Sequence, residues 1–354
     1  MFKVYNISIL NGIFITWQWE ICMKNMKLRY IGEDEYDRWD KFVDSSPQGN
    51  IFNKSFFIKA VSDALRILVC EENGRIIGGI ALPHTYGRFY RNPKLTPQLG
   101  ILLPPLNPEE KHSKRLSREI DIIKAIIHSL PDFLQLDYSF SYNFSNLLPF
   151  IWEGYNLNVY YTYVLENIKD LDIVYKNFDY DIKYEIKRAM KNGLIVKSDP
   201  DIKRFYEINK KSYARQDMEM PYTLDLLVNL DEAMQESNSR KMLFAVNKDG
   251  RAIAAVYLIY DARCTYYLMG GADPEYRNTG AQSLLLWEGI KFASNVSAMF
   301  DFEGSVKESI ESYFRKFGGN QKIIYNIYKS SPLIKMIYNI ARKNKNIVRK
   351  IIKV

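Results

Sequence analysis

The residue types able to do chemistry cluster late in this chain of 354 residues, between Thr265 and Gly319. An apolar run, Thr265–Met269, is followed by Gly270-Gly-Ala-Asp-Pro-Glu-Tyr-Arg277-Asn278-Thr279-Gly280-Ala281. Leu284-Leu-Leu-Trp-Glu-Gly-Ile290 then reads as a helix. Small residues where a chain enters a helix let backbone N–H groups approach a ligand closely, and a helix N-terminus attracts anions. Arg277 adds a planar fork suited to phosphate or carboxylate. A tight turn capped by Thr279 explains the same residues without a ligand, so both readings stay open. Further on comes Asp301-Phe-Glu303-Gly304. The alternation of a strand puts Asp301 and Glu303 on one face at its C-terminal end, where open α/β sheets place ligands. A carboxylate there can take a proton from an attacking amine, orient a substrate, or cap the helix that follows. Tyr313-Phe-Arg315-Lys316-Phe-Gly-Gly319 then closes a helix with aromatics, two bases and a glycine cap.

Other chemistries find little support. Cys22, Cys70 and Cys264 lie far apart with no C-x-x-C pair, and His84, His112 and His128 lack metal spacing. A disulfide scaffold, a zinc site and histidine-based catalysis are not expected, so no metal is assigned. The composition, 47% hydrophobic and 25% charged, is that of a globular protein. Its net charge of +8 is concentrated at one end. From Gln321 to Val354 there are nine Lys or Arg and no Asp or Glu, which leaves 40 bases against 41 acids before it. The body is near neutral and the tail is basic, which excludes a generally basic nucleic-acid coat.

The elements that must position these residues repeat one order. In the first half, Leu28–Ile31 reads as a strand and Asp34 as the cap of a helix toward Val43. Arg66–Cys70 and Arg75–Leu82 form a hairpin turning at Asn73-Gly74. A proline-punctuated stretch, Pro93 to Pro108, leads to a helix over 111–129 and strands over 133–138 and 159–165. In the second half come helices over 180–192 and 201–213, and a hairpin of 241–246 with 252–260. A strand (264–269), a helix (279–293), a strand (298–302), a helix (309–317) and a strand (323–328) complete it. Two α/β modules, each with a mixed sheet, are expected at 27–166 and 167–330.

These strings resemble a known family. Strand, R-x-x-G-A, helix, strand and a Y-F-R-K-F-G-G helix end are similar to the acyl-CoA-binding half of the GNAT N-acyltransferase fold. Gly270-Gly-Ala-Asp-Pro, Asp301-Phe-Glu-Gly and Phe314-Arg-Lys-Phe-Gly-Gly resemble the Fem-type branch, with two tandem GNAT-like domains. So do Asn50-Ile-Phe-Asn-Lys54-Ser, Thr96-Pro-Gln-Leu-Gly100, Arg215-Gln216 and Pro221-Tyr222, giving coverage of residues 27–328. The resemblance implies transfer of an acyl group from acyl-CoA, or from aminoacyl-tRNA, to an amine of a small-molecule or lipid-linked cell-envelope precursor or nucleotide sugar. No permanently bound cofactor is implied. It implies donor contacts from Arg277, Asn278, Thr279, Gly280, Ala281, Arg315 and Lys316, with Asp301 and Glu303 as catalytic carboxylates. Acceptor contacts would come from Lys54, Arg215, Gln216 and Tyr222. Two departures stand out. Gln282 occupies a usually small position of the phosphate loop. Phe314 stands where many GNAT enzymes have a general-acid tyrosine, with Tyr313 beside it on the other helical face. An aminoacyl-tRNA-dependent peptidoglycan-bridge ligase and a non-catalytic module binding an envelope precursor are the rival readings.

The ends are read separately. Residues 1–26 are expected to be an N-terminal extension, since Ile7–Trp19 is too short and too interrupted for a membrane span. Ser331 and Pro332 start a helix whose apolar residues, Leu333, Met336, Ile337, Ile340, Ile347, Val348 and Ile351, alternate with bases. A basic amphipathic helix over 331–354 suits an anionic membrane surface, a tRNA backbone, or packing on the body. The expected location is cytoplasmic, with peripheral contact at the inner face of the membrane as one reading of the basic helix.

Overall fold

The computed structural model describes residues 26–84, 87–304 and 306–343. Residues 1–25 of the expected extension and 344–354 of the expected tail lie outside them. Four strands of the first half, β1 (Lys27–Ile31), β2 (Ala64–Glu72), β3 (Arg75–His84) and β5 (Ile101–Leu102), form an antiparallel sheet in the order β1-β2-β3-β5. The turn joining β2 to β3 has Asn73 at φ 50° and Gly74 at φ 73°, the left-handed pair that a two-residue hairpin demands.

A nine-stranded sheet holds the rest. Its strands are β4 (Phe89–Arg91), β6 (Gln135–Ser139), β7 (Asn156–Leu165), β8 (Ile195–Ser198), β9 (Arg240–Val246), β10 (Ala252–Tyr260), β11 (Cys264–Ala272), β12 (Met299–Asp301) and β13 (Asn320–Ser330). They run β4-β6-β13-β7-β12-β11-β10-β9-β8. The sequence suggests two modules with a sheet each. Here the last strand, β13, instead inserts between β6 and β7 of the first half, and β7 pairs with β12 of the second. The long ladder from Asn320↔Val164 to Tyr328↔Asn156 satisfies edges that two separate sheets would leave open. Fold class and tandem α/β organisation agree with the sequence reading, but the halves share one sheet.

Around β10, β11 and β12 each face of that sheet is covered. On one side Ile253, Val256 and Leu258 of β10 pack with Phe300 and Phe302 and with helices 180–191, 281–296 and 308–315. On the other, Ala255, Tyr257 and Ile259 join Tyr266, helices 202–214 and 224–236, and the first-half core of Trp39, Phe52 and Phe57. Helix 224–236 was not read from the sequence. It is capped by Thr223, whose Oγ1 accepts from the Leu226 N–H at 3.2 Å, and it buries Leu227, Leu230 and Met234. Asp34 is not the first-half cap: it lies in a 3-10 turn, Glu33–Glu35, ahead of helix 36–45. The halves are also tied by Arg263, whose guanidinium donates to the carbonyls of Asp44, Ser46 and Gly49.

Candidate active site

The central strands part in the middle of the sheet. β11 and β12 run parallel only through Cys264↔Met299, Thr265↔Phe300 and Tyr266↔Asp301. β12 then ends while β11 continues to Ala272. Just past the split, the β10–β11 register jumps from Leu258↔Tyr267 to Tyr257↔Met269. Leu268 is therefore an extra residue in a β-bulge, a device that bends a strand and re-aims its groups. Gly270 and Gly271, read as loop, belong to β11. At Gly271 a Cβ would come within 2.7 Å of the Asn209 Cα, so the glycine lets helix 202–214 approach closely. Asn209 fastens the strand there: its Nδ2 donates to the Gly270 carbonyl at 2.7 Å, and its Oδ1 accepts from the Tyr222 hydroxyl at 2.6 Å.

The two carboxylates stand at this split. Asp301 is fully buried, and its Oδ1 accepts from the Thr162 hydroxyl and from the Glu303 N–H at 2.9 Å. Its Oδ2 has no partner among the described residues. Burial raises its pKa to about 6, against the hydrogen bonds from Thr162 and the Glu303 N–H and the nearby Gln98 amide. Glu303 lies beyond the strand at φ 58°, and neither carboxylate oxygen finds a partner among the described residues. Burial, and then the charge of Asp301, push it well above the ordinary carboxylate range. β12 ends at Asp301, two residues short of Glu303, so the strand alternation read from the sequence does not extend to the second acid.

Glu303 opens on a cavity of about 310 Å³ lined by Pro93, Leu95, Thr96, Pro97 and Leu268. The first half therefore supplies one wall. Asn92 holds that wall in place, with its Nδ2 on the Thr96 carbonyl at 2.9 Å and its Oδ1 on the Ser139 N–H at 3.1 Å. Thr96-Pro-Gln98 entered the sequence reading only through resemblance, with no role assigned. Its Gln98 is buried beside Asp301.

The opposite face carries the helix entry. Helix Ala281–Val296 is capped by Gly280 at φ 80°, and the Thr279 hydroxyl turns away to donate to the Tyr276 carbonyl at 2.6 Å. Thr279 is thus not the N-cap. A Cβ at Gly280 would sit 2.2 Å from the Glu185 carbonyl oxygen, so this residue is small because helix 180–191 presses on it. The Ser283 hydroxyl donates to the Glu185 carboxylate and lies 2.8 Å from the Tyr313 hydroxyl. Gln282 donates to the Tyr267 hydroxyl at 2.9 Å. Tyr313, read as facing away, points its hydroxyl at this helix entry. Burial raises its pKa above the ordinary tyrosine value, so the group keeps its proton. Phe314 packs instead on Phe302 and Tyr267.

The remaining expected residues scatter. Arg277 and Asn278 are exposed in a 3-10 turn, Pro274–Thr279, while Ala281 is buried. Arg315 is exposed with its Nε 3.6 Å from Glu311, and Lys316 reaches Asp181 at 2.6 Å. Lys54 binds the Asp44 carboxylate at 2.7 Å and the Asp40 carbonyl at 2.8 Å. Arg215 is exposed at the end of helix 202–214, and Gln216 accepts from Lys307 at 3.3 Å, beside the segment leaving Glu303. Tyr222 is buried and braces β11 rather than facing the cavity.

A strand that splits from its parallel neighbour at a bulge, with a helix entry behind it, is the geometry of one acyltransferase fold. Residues 176–308 match the acetyltransferase (GNAT) domain family. The chain has a Fem-like, tandem GNAT fold. Its fold is similar to that of FemX at TM-score 0.63 and 13% identity, over 84% of this chain and 96% of that one. It is similar to a tandem GNAT protein from the clavulanic acid biosynthesis pathway at TM-score 0.52 and 11% identity, over 86% and 98% of the two chains. L-PGS from Bacillus licheniformis follows at TM-score 0.51 and 10% identity, over 86% and 95%. No curated protein matches the sequence. With the match over residues 176–308, the second half carries a GNAT acetyltransferase domain.

Proposed function

We propose that the protein transfers an acyl group from an activated carrier to an amine held in the cavity beside Glu303. The observation that carries this reading is the Glu303 carboxylate, buried, unpartnered among the described residues, in a residue that lines the cavity with Leu268 of the β11 bulge. A buried polar group without a partner is costly and calls for a role, and a carboxylate with a raised pKa is a stronger base. In the proposed reaction the amine nitrogen attacks the carbonyl carbon and gives up a proton to Glu303. The carbonyl oxygen takes the negative charge, which backbone N–H groups of the β11 bulge would stabilise. Collapse breaks the carbon–sulfur bond of a thioester or the carbon–oxygen bond of an ester. The Tyr313 hydroxyl is the proposed proton source for the departing group. Asp301 acts through Glu303, its charge helping to keep the base strong. Alignment of two bound reactants supplies much of the rate.

Acyl-CoA is the donor usual for a GNAT domain. A second reading, an aminoacyl-tRNA donor, is favoured by Glu185: its carboxylate and backbone occupy the entry of helix 281–296, where a pyrophosphate would otherwise bind. Arg277, Asn278, Arg315 and Lys316 are proposed donor contacts in either case. The acceptor is proposed to be an amine of an envelope precursor, small or lipid-linked, with Lys54, Arg215 and Gln216 toward it. Purified protein offered acetyl-CoA, longer acyl-CoAs and charged tRNA with a diamine or amino-sugar acceptor tests both readings. Turnover with one donor class that Glu303→Gln abolishes supports the proposal. Full turnover in Glu303→Gln removes the base, and binding of an envelope precursor without transfer from any donor returns the chain to a binding role.

A further inference from the structure

We propose that the end of the molecule bearing helix Pro332–Lys343 docks on an anionic lipid surface. Leu333, Met336, Ile337 and Ile340 recur at i, i+3, i+4 and i+7 and form one stripe. They are 59%, 60%, 40% and 50% exposed, so the stripe is not packed on the described body. The root of the helix is anchored, with the Ser331 N–H donating to the Leu134 carbonyl at 2.8 Å.

A second exposed apolar patch lies beside that root. Leu148, Ile151 and Trp152 stand out from helix 148–152, and the Lys124 ammonium sits 5.1 Å from the Trp152 ring centre. Lys329, two residues before Ser331, donates to the Glu153 carbonyl at 2.7 Å, which brings this patch and the helix root to one end of the sheet. Apolar side chains with a tryptophan, interleaved with lysines, are what an interfacial surface needs.

Charge selects the occupant. The nine Lys or Arg from Gln321 onward have no acid among them, so whatever covers the stripe must bring negative charge. Residues 1–25 are largely apolar, but with Lys3 and Lys24 against the single Glu20 they bring no net negative charge. A second copy would set cations against cations. Anionic headgroups supply the charge, and the acyl boundary takes the stripe. No helix of the described residues is long and apolar enough to cross a membrane, so the contact is peripheral. The proposal does not rest on the transfer reaction, and failure of one leaves the other standing.

The test is sedimentation of the full chain with phosphatidylcholine vesicles and with vesicles that also contain phosphatidylglycerol. Pelleting is expected with the anionic vesicles only, and it should fall as salt is raised. Met336→Asp with Ile340→Asp should weaken it about tenfold or more by taking two apolar groups out of the interface. Trp152→Ala should weaken it less, and thermal unfolding should be unchanged in all variants. Equal pelleting with both vesicles, none with either, or no response to the double substitution would overturn the proposal. So would a dimer in sedimentation velocity that the double substitution abolishes while vesicle binding stays absent.

Discussion

The two faces of the sheet at the split treat their polar groups in opposite ways. Behind β11 the hydroxyls of Ser283, Tyr313 and Tyr267, the Glu185 carboxylate and the Gln282 amide form a linked set, with only the Gln282 carbonyl oxygen left over. In front, both oxygens of Glu303 and one of Asp301 are buried without a partner among the described residues. A satisfied network costs little and fixes geometry. An unsatisfied carboxylate costs stability, and its basicity is raised for that reason. The difference suggests that the front face takes the amine proton, while the rear network holds the helix entry in place and keeps the Tyr313 proton available to the leaving group.

The sharpest way to break this comparison is to neutralise the front. Glu303→Gln should lower kcat by about 10²–10⁴, the usual contribution of a general base, with KM little changed in steady-state assays. The matching rear substitution, Ser283→Ala, should cost about ten- to a hundredfold at most, as the loss of one hydrogen bond to a carboxylate does. Equal losses at both positions would erase the distinction.

Next in size is the rear's structural demand. Gly280→Ala meets both a left-handed backbone and the Glu185 carbonyl, and should destabilise the fold by about 3 kcal/mol in denaturant titration. A neutral outcome would show that helix 180–191 yields easily. Tyr313→Phe should reduce kcat by about a hundredfold if its proton reaches the leaving group, and by much less with a donor whose leaving group needs no acid.

A change confined to a pH window separates Asp301 from its neighbour. A carboxyl whose pKa rises from 3.8 to about 6 on folding binds its proton more tightly in the native state. Its contribution is therefore intact in acid and lost as pH climbs through that window, by at most about 3 kcal/mol. Asp301→Asn cannot titrate. Its stability relative to the unsubstituted chain should therefore improve between about pH 4 and pH 6, read by thermal unfolding across pH. A pH-independent difference would mean that Asp301 is not titrating there.

The pair at the front was legible in the sequence because Asp301 and Glu303 stand two residues apart, but not the left-handed turn at φ 58° by which Glu303 leaves the strand. What surrounds them was not, because Thr162 and Gln98 arrive from the first half through chain crossings that leave no local trace. Gly280 was legible as a helix entry, but its smallness serves contact with Glu185, a tertiary fact. Tyr313 was assigned to the wrong side because the direction of a helix face depends on how the helix docks. Helix 224–236 was missed although Thr223 and its apolar spacing announced it. The shared sheet was hidden because β13 reads as the end of the second half until its partners, β6 and β7, are known.

The central claim is that a buried carboxylate in the split between β11 and β12 takes the proton of the amine. Its most direct test is the pH dependence of kcat/KM with the best donor. The account predicts a rise with pH, governed by the coupled acids and extending above the pH of about 6 at which Asp301 titrates, and the loss of that limb in Glu303→Gln. A profile unchanged by Glu303→Gln would contradict it.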